Sequence, residues 1–231
     1  MFSEDKYTVV DGVVSESLLS FLGKYCTLQI RRYPITASED QVPNTHHTYA
    51  DPFMETLLLE MLPIVQVHTG LTIHPTYSFY RIYKPGDKLD HHIDRPSCEI
   101  STSLHIAHDY TGMPDDYNWN LCLESTEGED IKIALAPGDM AIYRGLELDH
   151  WREKFDVPES CWHMQVFLHY VDANGPWQHL QFDGREGLGF AGTETYYKTP
   201  IEDVPKHFKY LKPGDGGHPY SKEDYANLQT N

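Results

Sequence analysis

The feature that most constrains the fold is a change in residue pattern near position 72. From there to residue 172 the chain consists of short runs in which apolar and polar residues alternate, separated by turns rich in Pro, Gly and Asp. In the run 100–106, for example, Ser101, Ser103 and His105 alternate with four apolar or β-branched residues. A period of two is typical of β-strands, and several short strands at this spacing indicate a sandwich or barrel rather than βαβ units. The other runs with strand character are 77–83, 131–135, 140–143 and 163–171. We therefore predict a mainly β fold with flanking helices.

The helices are predicted in the first 72 residues. Apolar residues at helical spacing mark the segment 15–25, with Ser15 as its N-cap. A second helix is predicted to begin at Asp51, where a capping residue precedes a proline in the first turn. We expect Pro63 to interrupt this helix and Gly70 to end it.

The whole chain is predicted to be one domain, 1–231, in three parts. Residues 1–72 form a helical support and residues 73–172 the β core. Residues 173–231 form a C-terminal extension rich in Gly, Pro, Lys and Asp, which we expect to wrap the core or to act as a lid.

The net charge indicates which partners the protein can bind, and the cysteines indicate the cellular compartment in which it works. A formal charge of −17 repels phosphate backbones and anionic lipid, so no nucleic-acid or membrane role is expected. It slightly favours a neutral or basic substrate over an acidic one. The four cysteines show no Cys-x-x-Cys spacing, and the first residues contain no apolar signal region. These features predict a cytoplasmic protein with reduced thiols and leave its oligomeric state open.

The residues with the clearest chemical potential are His92, Asp94 and His150. Residues i and i+2 of a strand point to the same face, so His92 and Asp94 can reach one ion together. His150 follows the predicted strand 140–143 and can supply a second imidazole. Three protein ligands leave half of an octahedral shell open, which suits a non-haem iron(II) that must also bind oxygen and a co-substrate. His91 is the rival first ligand, although in a strand it faces away from Asp94.

The order of elements around these residues resembles that of the iron(II)- and 2-oxoglutarate-dependent dioxygenases, and within them the prolyl 4-hydroxylase-like group. The segment 83–94, YKPGDKLDHHID, has a tyrosine, a Pro-Gly turn and a His-x-Asp at the offsets of that group. The segment 137–143, PGDMAIY, is similar to the family's strand before the distal histidine. Weaker similarity extends over roughly residues 8–172.

The resemblance implies a double-stranded β-helix, also called a jelly roll or cupin-like fold, with iron(II) held by His92, Asp94 and His150. It implies 2-oxoglutarate as co-substrate, which is oxidised to succinate and carbon dioxide while a substrate C–H bond is hydroxylated, with ascorbate as an optional reductant. Family members that halogenate replace the ligand carboxylate, so the presence of Asp94 favours hydroxylation.

The residues that bind the far carboxylate of 2-oxoglutarate are less well defined by the resemblance. Tyr83 matches the family tyrosine that supplies a hydroxyl. In the prolyl hydroxylase group a lysine lies about ten residues after the distal histidine, whereas the corresponding segment 159–163 contains neither Lys nor Arg. The candidates for the missing group are Arg152, two residues after His150, and His163.

Arg95 and Glu99 follow the metal motif, and their role can be interpreted in two ways. The simpler expectation is an ion pair between them that steadies the loop. The alternative is that Arg95 binds a carboxylate of the substrate.

Several functions remain open at this point. A prolyl or other residue of a peptide or protein is one substrate class, and a free amino acid or small metabolite is another, since fold does not fix substrate. A non-redox cupin-like metal-binding module would bind zinc or manganese regardless of 2-oxoglutarate. An iron enzyme without 2-oxoglutarate gains weight if neither Arg152 nor His163 points inward. A basic side chain inside the barrel beside Tyr83 would favour the oxygenase.

Overall fold

The structure is a computed structural model that describes residues 2–32 and 41–190. Three α-helices and two 3-10 helices accompany ten strands in these ranges. The α-helices are α1 Phe2–Asp5, α2 Glu16–Arg32 and α3 Pro52–Thr69, and the 3-10 helices are Pro96–Cys98 and Gln178–Gly184. The strands are β1 Tyr7–Val10, β2 His46–Tyr49, β3 Ile73–Tyr83, β4 Leu89–His92, β5 Ile100–Asp109, β6 Leu121–Glu124, β7 Asp130–Ile133, β8 Met140–Tyr143, β9 His150–Arg152 and β10 Trp162–Asp172.

The strands form two antiparallel sheets. The larger has six strands in the order β1-β8-β5-β10-β3-β2, and the smaller has four in the order β4-β9-β6-β7. Neighbours in each sheet are mostly distant in sequence, as β1 with β8 and β4 with β9. This is a double-stranded β-helix, and the predicted mainly β fold with flanking helices is confirmed.

The alternating pattern of β5 separates two buried surfaces. Ile100, Leu104 and Ile106 belong to the main hydrophobic core together with side chains of α2 and α3. The opposite face, which carries Ser101 and Ser103, is also fully buried but lies inside the barrel. The polar face predicted from the sequence is therefore the interior of the barrel, where its hydroxyls meet other polar groups.

Helix α3 supports the larger sheet and begins as predicted. The carboxylate of Asp51 accepts hydrogen bonds from the amides of Phe53 and Met54 at 3.0 and 3.1 Å, which is an N-cap. Gly70 ends the helix with φ of 73°. The expected interruption at Pro63 is wrong, because the helix continues through it. A proline removes one backbone hydrogen bond, and the burial of seven other α3 side chains besides Glu55 holds the helix on the core.

The segment 173–190 returns over the larger sheet next to β3. Arg185 anchors it by donating to Glu55 Oε1 at 2.5 Å and to the carbonyl of Thr76 at 2.9 Å. The remainder of the predicted extension, 191–231, lies outside the described residues. No helix in the described part of the chain is long and apolar enough to cross a membrane. All four cysteines are buried and free.

Candidate metal centre

The three predicted ligands come together at one end of the barrel. β4 ends at His92 and β9 begins at His150, and these two residues are partners in the β4–β9 ladder. Asp94 follows β4 in a loop, where its amide donates to the carbonyl of Gly145 at 2.8 Å. Oδ1 of Asp94 lies 3.7 Å from Nε2 of His92 and 3.6 Å from Nε2 of His150. Two adjacent ligands of a metal, each about 2.1 Å from it, lie roughly 3 Å apart, so a small closure of this group accommodates one ion.

Backbone carbonyls fix the tautomers of both imidazoles. Nδ1 of His92 lies 2.9 Å from the carbonyl of Asp90, and Nδ1 of His150 lies 3.0 Å from the carbonyl of Leu148. A carbonyl can only accept, so each Nδ1 carries hydrogen and donates it. In the neutral ring each Nε2 then carries the lone pair that a metal ligand requires.

The charges of the group also call for a cation. Burial alone would raise the pKa of Asp94, but hydrogen bonding and charge from His150 lower it to about 2. Burial would lower the pKa of His150, and Asp94 outweighs this and raises it. Burial and the neighbouring His150 lower the pKa of His92. The carboxylate of Asp94 therefore stays ionised and attracts positive charge, which a proton on His150 supplies in the metal-free protein and a metal ion would supply to the whole group.

The second oxygen of Asp94 is held by the barrel wall. Ser101 Oγ donates to Oδ2 of Asp94 at 2.6 Å and lies 3.0 Å from Nδ1 of His169. Since the single hydroxyl hydrogen is used on Asp94, His169 donates from Nδ1 to Ser101. A Cβ at Gly145 would lie 2.6 Å or less from Asp94 Oδ2, Ser101 Oγ and the carbonyl of Cys98. Glycine at 145 therefore leaves the space that this carboxylate occupies.

His91, the rival ligand, lies on the other side of β4. Its Nδ1 is 2.7 Å from Asp149 Oδ2, and its ring stacks on Trp151 with centroids 3.9 Å apart. The structure places His92, and not His91, beside Asp94 and His150, as the alternation of strand faces predicts.

A cavity of about 450 Å³ opens over the three ligands. Its wall includes five Tyr and Phe rings and two arginines. Besides the ligands it is lined by Gln41, Tyr49, Tyr77, Phe79, Arg81, Leu89, Ile93, Arg95, Cys98, Leu121, Tyr143, Phe167 and His169.

Arg81 was not among the residues predicted from the sequence. It lies on β3, its side chain is buried within the barrel, and Nη1 donates to the hydroxyl of Tyr83 at 3.1 Å. Its guanidinium also lies 5.1 Å from the ring centroid of Phe79. The signal that would have found it is the strand period, because Arg81 is two residues before Tyr83 and so shares its face.

Arg152 and His163, the two groups considered for 2-oxoglutarate, do not line this cavity, and neither does Tyr83, which contacts its wall through Arg81. Arg152 donates to the carbonyl of Trp119 at 2.6 Å and to Gln165 Oε1 at 3.0 Å. His163 contacts the same Gln165 oxygen at 2.5 Å. Burial, together with the charges of His105 and Arg152, holds the pKa of His163 well below its usual range, so this imidazole is neutral. Both side chains belong to a buried polar network beyond the cavity.

The expected ion pair between Arg95 and Glu99 is wrong. Arg95 pairs instead with Asp183, and Glu99 pairs with Arg144 at 3.2 Å and accepts from the amide of Asp172 at 2.8 Å. The partner of Arg95 comes from the segment after β10, which local sequence could not reveal.

Solved structures with the same fold include a prolyl-4-hydroxylase from Pseudomonas putida, which is 13% identical with a TM-score of 0.54 over 74% of this chain and 95% of that chain. HygX from Streptomyces hygroscopicus, with nickel, 2-oxoglutarate and hygromycin B bound, is 11% identical with a TM-score of 0.57 over 75% of this chain and 85% of that chain. The epimerase SnoN, in complex with Fe³⁺, α-ketoglutarate and nogalamycin RO, is 9% identical with a TM-score of 0.61 over 85% of this chain and 90% of that chain.

The chain has the fold of the iron- and 2-oxoglutarate-dependent oxygenases. No family model matches the sequence, and no curated protein sequence is a significant match. At these identities the likeness establishes the fold, and the site itself must carry the argument for activity.

Proposed function

We propose that this protein is an iron(II)- and 2-oxoglutarate-dependent dioxygenase that hydroxylates a C–H bond of an organic substrate. The observation that carries the proposal is the convergence of two imidazole Nε2 atoms and an ionised carboxylate, from His92, His150 and Asp94, on one point of a cavity that also contains a buried arginine. Two histidines and one carboxylate with open positions are the donor set typical of non-haem iron(II) oxygenases.

Each group of side chains in the cavity has a proposed role. His92, Asp94 and His150 would hold the metal, which supplies the binding and reduction of oxygen coupled to oxidation of 2-oxoglutarate. Arg81 and the Tyr83 hydroxyl would bind the far carboxylate of 2-oxoglutarate, since a guanidinium and a hydroxyl 3.1 Å apart together offer charge and several donors. The aromatic wall of the cavity would exclude water from the reacting atoms.

The role given to Arg81 replaces the earlier assignment to Arg152 or His163. Nη1 and Nη2 of Arg152 donate to Trp119 and Gln165, away from the cavity, and His163 carries no positive charge. The presence of a cation beside Tyr83 in the cavity also supports the oxygenase over a metal-binding module that needs no co-substrate, and over an iron enzyme that works without 2-oxoglutarate.

The fold leaves the substrate class open. SnoN and HygX, which share the fold, hold nogalamycin RO and hygromycin B in their structures, and a prolyl-4-hydroxylase shares it as well. Both a residue of a peptide and a free small molecule are therefore compatible with this architecture.

Anaerobic titration of the metal-free protein with iron(II) and then 2-oxoglutarate tests the proposal. We expect the weak visible charge-transfer band of an iron–2-oxoglutarate chelate, and succinate release when air is admitted with a panel of peptides and free amino acids. Absence of both the band and succinate would overturn the proposal.

Two neighbouring histidines provide a matched pair of variants. His92→Ala is expected to abolish the band and succinate formation while the protein stays folded. His91→Ala removes an imidazole from the outer side of the same strand and is expected to keep both. If His91→Ala abolished the band and His92→Ala did not, the ligand assignment would be wrong.

A further inference from the structure

Arg95 is a cavity residue to which the proposed reaction assigns no role. It directly follows Asp94 in the sequence and lines the same cavity as the three ligands. Of the two arginines in the cavity wall, Arg81 is assigned to 2-oxoglutarate. The hydrogen-bond donors of the other, Arg95, are therefore not assigned to the co-substrate.

The guanidinium of Arg95 is fixed in place from three sides. Nη1 and Nη2 donate end-on to the two carboxylate oxygens of Asp183 at 2.6 and 2.7 Å. Nη1 also donates to Ser97 Oγ at 3.0 Å, and Cζ lies 4.6 Å from the ring centroid of Tyr77. A guanidinium held in this way loses little further freedom when it binds a ligand.

Asp183 is itself held by the body of the protein. Its side chain is only 10% exposed, and the Tyr49 hydroxyl donates to Oδ2 at 2.5 Å. Asp183 and Phe182 both adopt positive φ, 57° and 60°, which non-glycine residues rarely do. This backbone conformation occurs in the segment that places the carboxylate of Asp183 beside Arg95.

The contacts of Arg95 leave one complete edge of the guanidinium open. Arginine has five N–H groups. The end-on pair with Asp183 uses one hydrogen on each Nη, and Ser97 takes the second hydrogen of Nη1. The N–H of Nε and the outer N–H of Nη2 have no partner among residues 2–32 and 41–190. These two parallel donors form the side-on fork that matches a carboxylate.

We propose that Arg95 binds a carboxylate of the substrate through this side-on edge, so that the enzyme acts on a molecule bearing an acid group. The proposal rests on the proposed function and names the substrate class for the same cavity. Asp183, Ser97 and Tyr77 act as positioning residues for Arg95. The net charge of −17 repels an acidic ligand at long range. The fixed guanidinium edge of Arg95 compensates for this repulsion by offering two directed hydrogen bonds at short range. This proposal runs opposite to the slight preference for neutral or basic substrates expected from net charge.

The test uses the full-length protein loaded with nickel(II) and 2-oxoglutarate, which prevents turnover. Binding is measured by calorimetry for free amino acids and simple aliphatic and aromatic acids, each paired with its primary amide. A blocked peptide containing one Glu distinguishes a side-chain carboxylate from that of a free acid. We expect at least one acid to bind tenfold or more tightly than its amide.

Variants then assign the preference to Arg95. Arg95→Gln is expected to weaken binding of that acid at least tenfold and to leave binding of the amide within twofold. Arg95→Lys keeps the charge but not the two parallel donors, and its affinity for the acid is expected to lie between those of Arg95→Gln and the unmodified protein. Lys88→Gln is the matched control, because Lys88 is also 49% exposed and paired with an aspartate but does not line the cavity. It is expected to bind like the unmodified protein.

The outcomes separate this proposal from the proposed function. If the iron–2-oxoglutarate band forms but no acid binds better than its amide, or if Arg95→Gln and Lys88→Gln weaken acid binding equally, the carboxylate subsite is wrong and the oxygenase assignment stands. If no band forms, the oxygenase assignment itself fails. Tighter binding of the Glu peptide than of any free acid supports the subsite and identifies its ligand as a peptide side chain.

Discussion

Ser101 donates its hydroxyl hydrogen to Oδ2 of Asp94, and the two oxygens lie 2.6 Å apart. This bond joins the larger sheet to the loop that follows β4 in the smaller one. It uses one carboxylate oxygen and turns the other, Oδ1, towards His92 and His150. The orientation of the only anionic ligand is thus determined from across the barrel.

The variant Ser101→Ala should therefore weaken metal binding while the protein stays folded. A hydrogen bond to a charged group contributes about 1.5–3 kcal/mol, which corresponds to a loss of roughly 10- to 100-fold in affinity. Anaerobic titration with cobalt(II) measures it. Ser103→Ala is the control, since Ser103 is the next inward serine on β5 and contacts Gln165 instead of Asp94. Equal affinities of the two variants would contradict a positioning role for Ser101.

Substitution of Arg81 should affect 2-oxoglutarate and not the metal. Arg81→Gln removes the charge proposed to hold the far carboxylate, and we expect the Kd of 2-oxoglutarate to rise roughly 100-fold, in line with loss of a charge-assisted pair of about 3 kcal/mol. Tyr83→Phe should raise it by about tenfold.

Both variants should bind cobalt(II) as the unmodified protein does. Retention of normal 2-oxoglutarate affinity in Arg81→Gln would return the assignment to another cation. Titration of the cobalt(II) protein with 2-oxoglutarate measures the Kd.

Substitution by alanine is expected to change thermal stability in opposite directions at Gly145 and Gly23. At Gly145 a Cβ would meet Asp94, Ser101 and the carbonyl of Cys98 at 2.6 Å or less, and overpacking of this kind costs about 1–3 kcal/mol or more. At Gly23, inside α2, a Cβ would meet only Ala107 at 4.0 Å, and alanine favours a helix by about 1 kcal/mol. Thermal unfolding should show a lower Tm for Gly145→Ala and a Tm that is unchanged or higher for Gly23→Ala. The reverse order would contradict the packing around Asp94.

The metal-free protein should lose stability as the pH falls from about 6.5 to about 4. Burial lowers the pKa of both His105 and His169 to about 4, whereas an unfolded imidazole titrates near 6.5. Within this window the unfolded chain binds protons that the folded protein does not, so the free energy of unfolding decreases as pH decreases. Each group contributes a slope of about 1.4 kcal/mol per pH unit.

His105→Gln isolates one of these contributions. Urea unfolding at several pH values should give a slope that is smaller by roughly one group, about 1.4 kcal/mol per pH unit. A slope identical to that of the unmodified protein would mean that His105 is protonated in the folded state.

The sequence was most informative where the controlling interactions are local. Alternation along β5 predicted which residues share a face, and the i, i+2 spacing predicted that His92 and Asp94 lie together. The Asp51 cap of α3 was visible because capping depends on residues only a few positions apart. Each of these depends on a period or a motif of fewer than ten residues.

The parts that the sequence did not reveal depend on pairs far apart in the chain. Arg95 meets Asp183 across 88 positions, and the space beside Asp94 depends on Gly145. The strand period places Arg81 on the same face as Tyr83, but only the closed barrel shows that Arg81 shares a cavity with the metal ligands. Strand neighbours such as β1 and β8 are likewise set by closure of the sheets and not by adjacent residues.

The backbone contacts of the two histidine ligands bear on how this site tolerates sequence change. Nδ1 of each ring is bound by the carbonyl of the residue two positions earlier, Asp90 or Leu148. Every amino acid supplies that carbonyl, so substitutions at 90 and 148 leave the ligand tautomer intact as long as the strands keep their course. At the exposed position 90, mutational drift can therefore alter the surface beside the site without passing through a form that no longer binds metal, whereas position 148 accepts only side chains that fill the place of Leu148 in its hydrophobic cluster.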